Sequence, residues 1–157
     1  MAKIQFEISN LKSFNKALQE AINKDNLVKD YITRGTMKVH KTAVEGIQGP
    51  PKTGKGYPRG SKTHIASAPG QYPATDQGDL ASGITWSVEG NSERGEVVGK
   101  IVSSMDYSMA LEFGTRNMEP RPFMQPSLEK NKRYITKLFT EGIVKKKYKK
   151  GSGSKWL

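Results

Sequence analysis

The stretch Leu80-Ala81-Ser82-Gly83-Ile84-Thr85-Trp86-Ser87-Val88-Glu89-Gly90-Asn91-Ser92-Glu93-Arg94-Gly95-Glu96-Val97-Val98-Gly99-Lys100-Ile101-Val102 decides the fold class. Ile84, Trp86 and Val88 alternate with Thr85 and Ser87, the period-2 pattern of a half-buried strand. Gly90 to Gly95 supplies turn chemistry, and Glu96 to Val102 returns as a second apolar strand. Two runs joined by so short a connection must pair antiparallel.

Upstream the period changes. Ile4, Phe6 and Ile8 alternate with polar residues as a strand, and Ser9 and Asn10 offer helix caps. Leu11, Phe14, Leu18 and Ile22 share one helical face, which Asn23 to Asn26 interrupts. A second helix carries Val28, Ile32, Gly35, Val39 and Ala43 inward and Lys24, Lys29, Lys38 and Lys41 outward. It should stop near Gly46 to Gly49, ahead of Pro50-Pro51.

Downstream, Tyr107 to Phe113 reads as a short helix ended by Gly114, and Arg121 to Pro126 as an extended approach. The last helix is expected from about Ser127 to Lys145, burying Leu128, Ile135, Leu138 and Phe139, with Pro126 suited to its first turn. Trp86 and Phe113 are expected in the core or an interface. The order is β-α-α-loop-β-β-α-α, an α+β domain with an antiparallel hairpin sheet and the C-terminal helix packed on it. The domain spans 1–144, and 145–157 is a basic tail expected to be disordered.

Between these halves, 49–79 fits neither period. With six Gly and five Pro in 31 residues it reads either as a mobile surface loop or as a segment ordered by assembly. Its start, Gly49-Pro50-Pro51-Lys52-Thr53-Gly54-Lys55-Gly56, imitates a phosphate-binding loop. It places Gly56 where Ser or Thr must ligate magnesium, and two prolines remove N–H groups that would cradle phosphate.

The 157 residues fit one domain. An apolar share of about 40% including Gly is low for a self-sufficient globule and suggests burial completed against partners. No cysteine is present, so disulfides, thiolate metal sites and a cysteine nucleophile are excluded. The start lacks the apolar run of a signal peptide, and no stretch approaches bilayer-spanning length; synthesis in the cytoplasm is expected.

The net charge of +11 is uneven. Residues 1–60 hold 11 Lys/Arg against 5 Asp/Glu, 61–129 hold 5 against 9, and 130–157 hold 10 against 1. Basic ends around an acidic middle suit a complementary multi-subunit assembly as well as they suit DNA. His40 and His64 have no acid or hydroxyl at triad or metal-cage spacing, and Asp76, Asp79, Glu112 and Glu119 are scattered. The reading is therefore no enzyme, no cofactor and no metal.

Two longer pieces carry a family likeness. Tyr107-Ser108-Met109-Ala110-Leu111-Glu112-Phe113-Gly114-Thr115, then Pro120-Arg121-Pro122-Phe123-Met124-Gln125-Pro126-Ser127-Leu128, resembles the gene-product-ten-like family of tail-completion (head–tail joining) proteins of long-tailed bacteriophages. Ser67-Ala68-Pro69-Gly70-Gln71-Tyr72-Pro73 and Asp76 to Ile84 resemble its upstream patterns, so the resemblance covers roughly residues 5–140. The lysine-rich end beyond 145 departs from it.

The resemblance implies a ring, usually of six subunits, that terminates the tail tube and docks it to the head connector. Its partners would be further copies of itself, the tail tube protein, the head connector or head-closure protein, and genomic DNA passing through the lumen without sequence specificity. No membrane is involved, and the location would be the virion neck. It further implies a subunit or neck interface built from Tyr57, Arg59, His64, Pro69, Tyr72, Asp76, Asp79, Glu112, Arg116 and Arg121. Rigid corners would come from Phe113 anchoring a turn with Gly114 and Thr115, and from Pro122, Pro126 and the buried peg Phe123. Lys145, Lys146, Lys147, Lys149 and Lys150 could touch DNA or an acidic surface. Two alternatives stand beside this reading: another neck component such as a head-closure protein, and a small basic nucleic-acid-binding protein.

Overall fold

The computed structural model describes residues 3–5, 27–91 and 96–149, with side chains for 27–90 and 96–142. The amphipathic helix expected over Leu11 to Ile22, the flanking strand residues Phe6 and Ile8, the connection 92–95 and the end from Lys150 lie outside the described residues.

Among the described residues nine elements follow in order: β1 (Lys3–Gln5), α1 (Leu27–Gln48), β2 (Gly56–Arg59), β3 (Lys62–Ile65), α2 (Asp79–Ser82), β4 (Ile84–Asn91), β5 (Glu96–Ser103), α3 (Ser108–Phe113) and α4 (Met124–Lys149). The class is α+β, as the change of period implies. β1, β5 and β4 form an antiparallel sheet in that order, with Ile101 opposite both Trp86 and Ile4.

α1 forms where Val28, Tyr31, Gly35, Val39, Ala43 and Ile47 recur at helical spacing, and all six are buried. It ends before the Gly49-Pro50-Pro51 break, as the prolines require. Neighbouring positions face different partners: Thr36 and Ile32 lie against Gly99 of β5, while Gly35 lies against Ile135 of α4. α1 is thus a central layer. The C-terminal helix consequently has α1, not the sheet, as its principal partner, which corrects the expected packing. The two run antiparallel, with Asn131 Nδ2 donating to Thr42 Oγ1 at 2.8 Å and the Tyr31 and Phe139 rings meeting edge-on at 5.6 Å.

The main core joins Val39, Ala43 and Ile47 of α1 to Ile84, Ile101, Leu80, Phe123 and Met124. His40, which has no partner at triad or metal-cage spacing, is half-buried and donates from Nε2 to Ile84 O at 3.0 Å, tying α1 to β4. Trp86 lies outside the core with 38% of its surface exposed, because β4 is an edge strand. α4 begins three residues earlier than expected and runs to Lys149, so Lys145 to Lys149 start on helix rather than in a disordered tail. Lysines at a helix C-terminus complement its macrodipole, which favours that extension.

The segment 49–79 is not structureless. β2 and β3 pair antiparallel as a hairpin separate from the sheet, from Gly56↔Ile65 to Arg59↔Lys62. Gly54 N–H donates to Ala66 O, and the Gln71 Oε1 accepts from Thr53 and Ala68 N–H. Local hydrogen bonds replace apolar periodicity here, which is why pattern reading missed it.

Phe123 is only 1% exposed within the main core, as its role as a peg requires. Phe123→Ala is expected to lower stability by ~3–5 kcal/mol, the usual cost of emptying a buried Phe site. Urea melts with an unchanged slope check this, and a loss below ~1 kcal/mol would remove the peg assignment.

Candidate functional site

The residues of the two corner motifs meet in one place. Glu112 is buried on α3, and its carboxylate accepts three backbone N–H groups: Phe123 and Met124 on Oε2 at 2.8 and 2.9 Å, and Gln125 on Oε1 at 2.9 Å. An α-helix opens with four unpaired N–H groups. Three of them end on Glu112, and the fourth position is Pro126, which has none. Glu112 was expected at an interface; it is instead an internal cap that joins α3 to α4.

Gly114 turns the chain at φ +78° and ψ 179°, a region essentially restricted to glycine, and its N–H donates to Ala110 O at 2.9 Å. Thr115 and Met118 then close a small bridged turn. Phe113, expected to anchor this turn, is 66% exposed; the buried side chain one residue earlier does the anchoring.

The segment Ser67 to Pro73 lies against this corner. Arg121 Nε donates to Ser67 O at 3.0 Å, and Gly70 N–H to Pro120 O at 2.9 Å. Tyr72 is an inward contact rather than an exposed one: its hydroxyl is 3.0 Å from Ser127 Oγ, and Lys130 Nζ sits 4.5 Å from its ring centre. A Cβ at Gly46 would lie 2.3 Å from that ring, so glycine is needed there. Lys52 donates to Gly46 O at 2.8 Å, and burial lowers the pKa of its ammonium. The phosphate-loop look-alike is therefore a cap on the end of α1.

Between the β2–β3 hairpin and the body lies a cleft of about 600 Å³. It gathers six of the ten expected interface residues: Tyr57, Arg59, His64, Asp76, Asp79 and Arg121. Asp76 pairs with Arg59, and its other oxygen lies 3.9 Å from His64 Nδ1. This carboxylate tethers both strands of the hairpin to the body. Burial and the nearby charge of Asp79 raise the Tyr107 pKa. Sequence reading missed Thr75, Tyr107, Leu111 and Met118, whose place in the wall follows only from tertiary packing.

Pro69 and Arg116 are exposed and lie outside the cleft wall. Lys145, Lys146, Lys147 and Lys149 share the last turns of α4, away from these residues in sequence, and Lys150 lies outside the described residues. Among the described residues no three His, Asp or Glu side chains group to hold a metal, and no helix is long and apolar enough to cross a membrane.

No family model, no curated protein and no solved structure matches the chain.

Removing the Glu112 carboxylate leaves buried N–H donors without a partner. Glu112→Ala is expected to cost ~3–5 kcal/mol and Glu112→Gln about half of that, in chemical denaturation. Wild-type stability in both variants would show that water serves these donors equally well.

Proposed function

We propose that this chain is a virion structural protein of a long-tailed bacteriophage: a ring-forming tail-completion and head–tail joining protein that terminates the tail tube and docks it to the head connector. The observation that carries the reading is the β2–β3 hairpin. It stands apart from the sheet, and seven of its eight strand residues are exposed. A two-stranded ribbon is marginally stable in water by itself. Ordered chain that buries so little of its own surface suits an arm completed by a neighbouring subunit.

The motifs behind the family resemblance support the same reading through their roles. Glu112, Gly114, Phe123 and Pro126 fix the angle between α3 and α4, and rigid angles are what a closing ring of heterologous contacts needs. The partners in this reading are further copies of the chain, in a ring of six, the tail tube and the head connector. Genomic DNA threads the lumen without base-specific contacts.

Deleting the gene from its phage and imaging the lysate by electron microscopy tests the proposal. DNA-filled heads beside separate or overlong tails are expected; normal infectious particles would overturn it.

The helical extension to Lys149 favours a second reading, a small basic nucleic-acid-binding protein, because it presents four lysines on one short ordered stretch. Truncation after Val144 separates the two. An assembly protein keeps its fold and its oligomers. A nucleic-acid binder loses most of its affinity, and the slope of log K against log salt falls by up to about 5 units, since the cut removes six lysines.

A further inference from the structure

α3 presents two different faces to its surroundings. Tyr107 and Leu111 line the cleft, and Ser108 and Glu112 point into the protein. Met109 and Phe113, one turn apart, belong to neither set and stand 47% and 66% exposed. They form an apolar knob on a rigid support, since the Gly114 turn and the Glu112 cap hold the end of α3 in place. Exposed aromatic side chains held this way are the usual anchors of protein interfaces.

Two charged groups complete the pattern. Asp79 lines the cleft, and among the described residues its carboxylate has no ion pair. Arg116 lies three residues beyond the knob, exposed and likewise unpaired among the described residues. Both the apolar and the charged halves of a contact are therefore present, but on separate surfaces of one chain. A knob that matches a pocket elsewhere on the same molecule makes a heterologous contact, which generates rings or filaments.

We propose that the cleft receives the Met109/Phe113 knob of a second copy of this chain, with Arg116 of the incoming copy meeting Asp79. This rests on the ring-forming reading above and gives it a specific interface. Tyr57 on the hairpin and Tyr107, the residue that caps the start of α3, both line the cleft that the ring enters. The cleft wall thus includes the arm, so seating the knob also covers the face of the hairpin that lines the cleft.

Introduced cysteines test the contact cleanly, because the chain has none of its own. Asp79→Cys and Arg116→Cys occupy exposed positions and should fold as the wild type does, which circular dichroism checks. Mixed under oxidising conditions, the two full-length variants should form a disulfide dimer containing one of each, at least ~10-fold above either variant alone; bridging requires Cα atoms within about 7 Å. Adding Phe113→Asp to the Arg116→Cys chain should abolish that dimer. In the charge-swap series, Asp79→Arg and Arg116→Asp should each weaken oligomers in sedimentation, and the double variant should restore them.

Equal cross-linking of each variant with itself would overturn the proposal, because it marks a two-fold contact. No mixed cross-link at concentrations where the wild type is oligomeric would overturn this interface while leaving the ring reading in place. A wild type that stays monomeric at the highest attainable concentration, without any cross-link, would overturn both.

Discussion

The Glu112 carboxylate and the three backbone N–H groups it accepts set the geometry on which the rest of the structure depends. A helix start carries a partial positive charge as well as unpaired donors, so a buried carboxylate there answers both needs. Pro126 removes the remaining donor. The consequence reaches beyond α3 and α4. With the start of α4 fixed, Phe123 enters the core beside Ile47 and Ile101, and α4 lies antiparallel along α1. Arg121, held to Ser67 O, then fixes the segment that leads into the cleft.

Much of this frame could be read from residue order. The alternation from Ile84 to Val88 and from Glu96 to Val102 located the sheet, and the spacing of Val28, Val39 and Ala43 located α1. The helix end at Gly114 also followed from local chemistry, and the burial of Phe123 was what the family resemblance implied. Other features were invisible for physical reasons. A lone Glu at position 112 looks like any surface carboxylate until the chain folds its partners, eleven to thirteen residues on, around it. The β2–β3 hairpin has no hydrophobic alternation because neither of its faces is packed in the subunit. The middle position of α1 was hidden because one inward set from Val28 to Ala43 does not say that Ile32 meets β5 while Gly35 meets α4.

The candidate interface shows the same division. Six of its expected residues do converge on the cleft, since the hairpin and the 73–80 segment fold over α3. Glu112 and Tyr72 do not, because each is held by internal hydrogen bonds. Phe113 changed roles in the opposite direction, from turn anchor to exposed knob. Adjacent residues on a two-turn helix point in directions roughly 100° apart, so a one-residue error in assigning the anchor exchanges inside for outside.

α4 and α1 close on each other at the level of Tyr31. A Cβ at Gly142 would lie 2.1 Å from the Tyr31 hydroxyl, so only glycine lets the two helices meet there. From that point the helix runs on to Lys149, seven residues that add about 10 Å at the usual helical rise. Lys145, Lys146, Lys147 and Lys149 are carried on this stretch, so the helical repeat itself sets their spacing from the Tyr31 contact, as a ruler carries its marks.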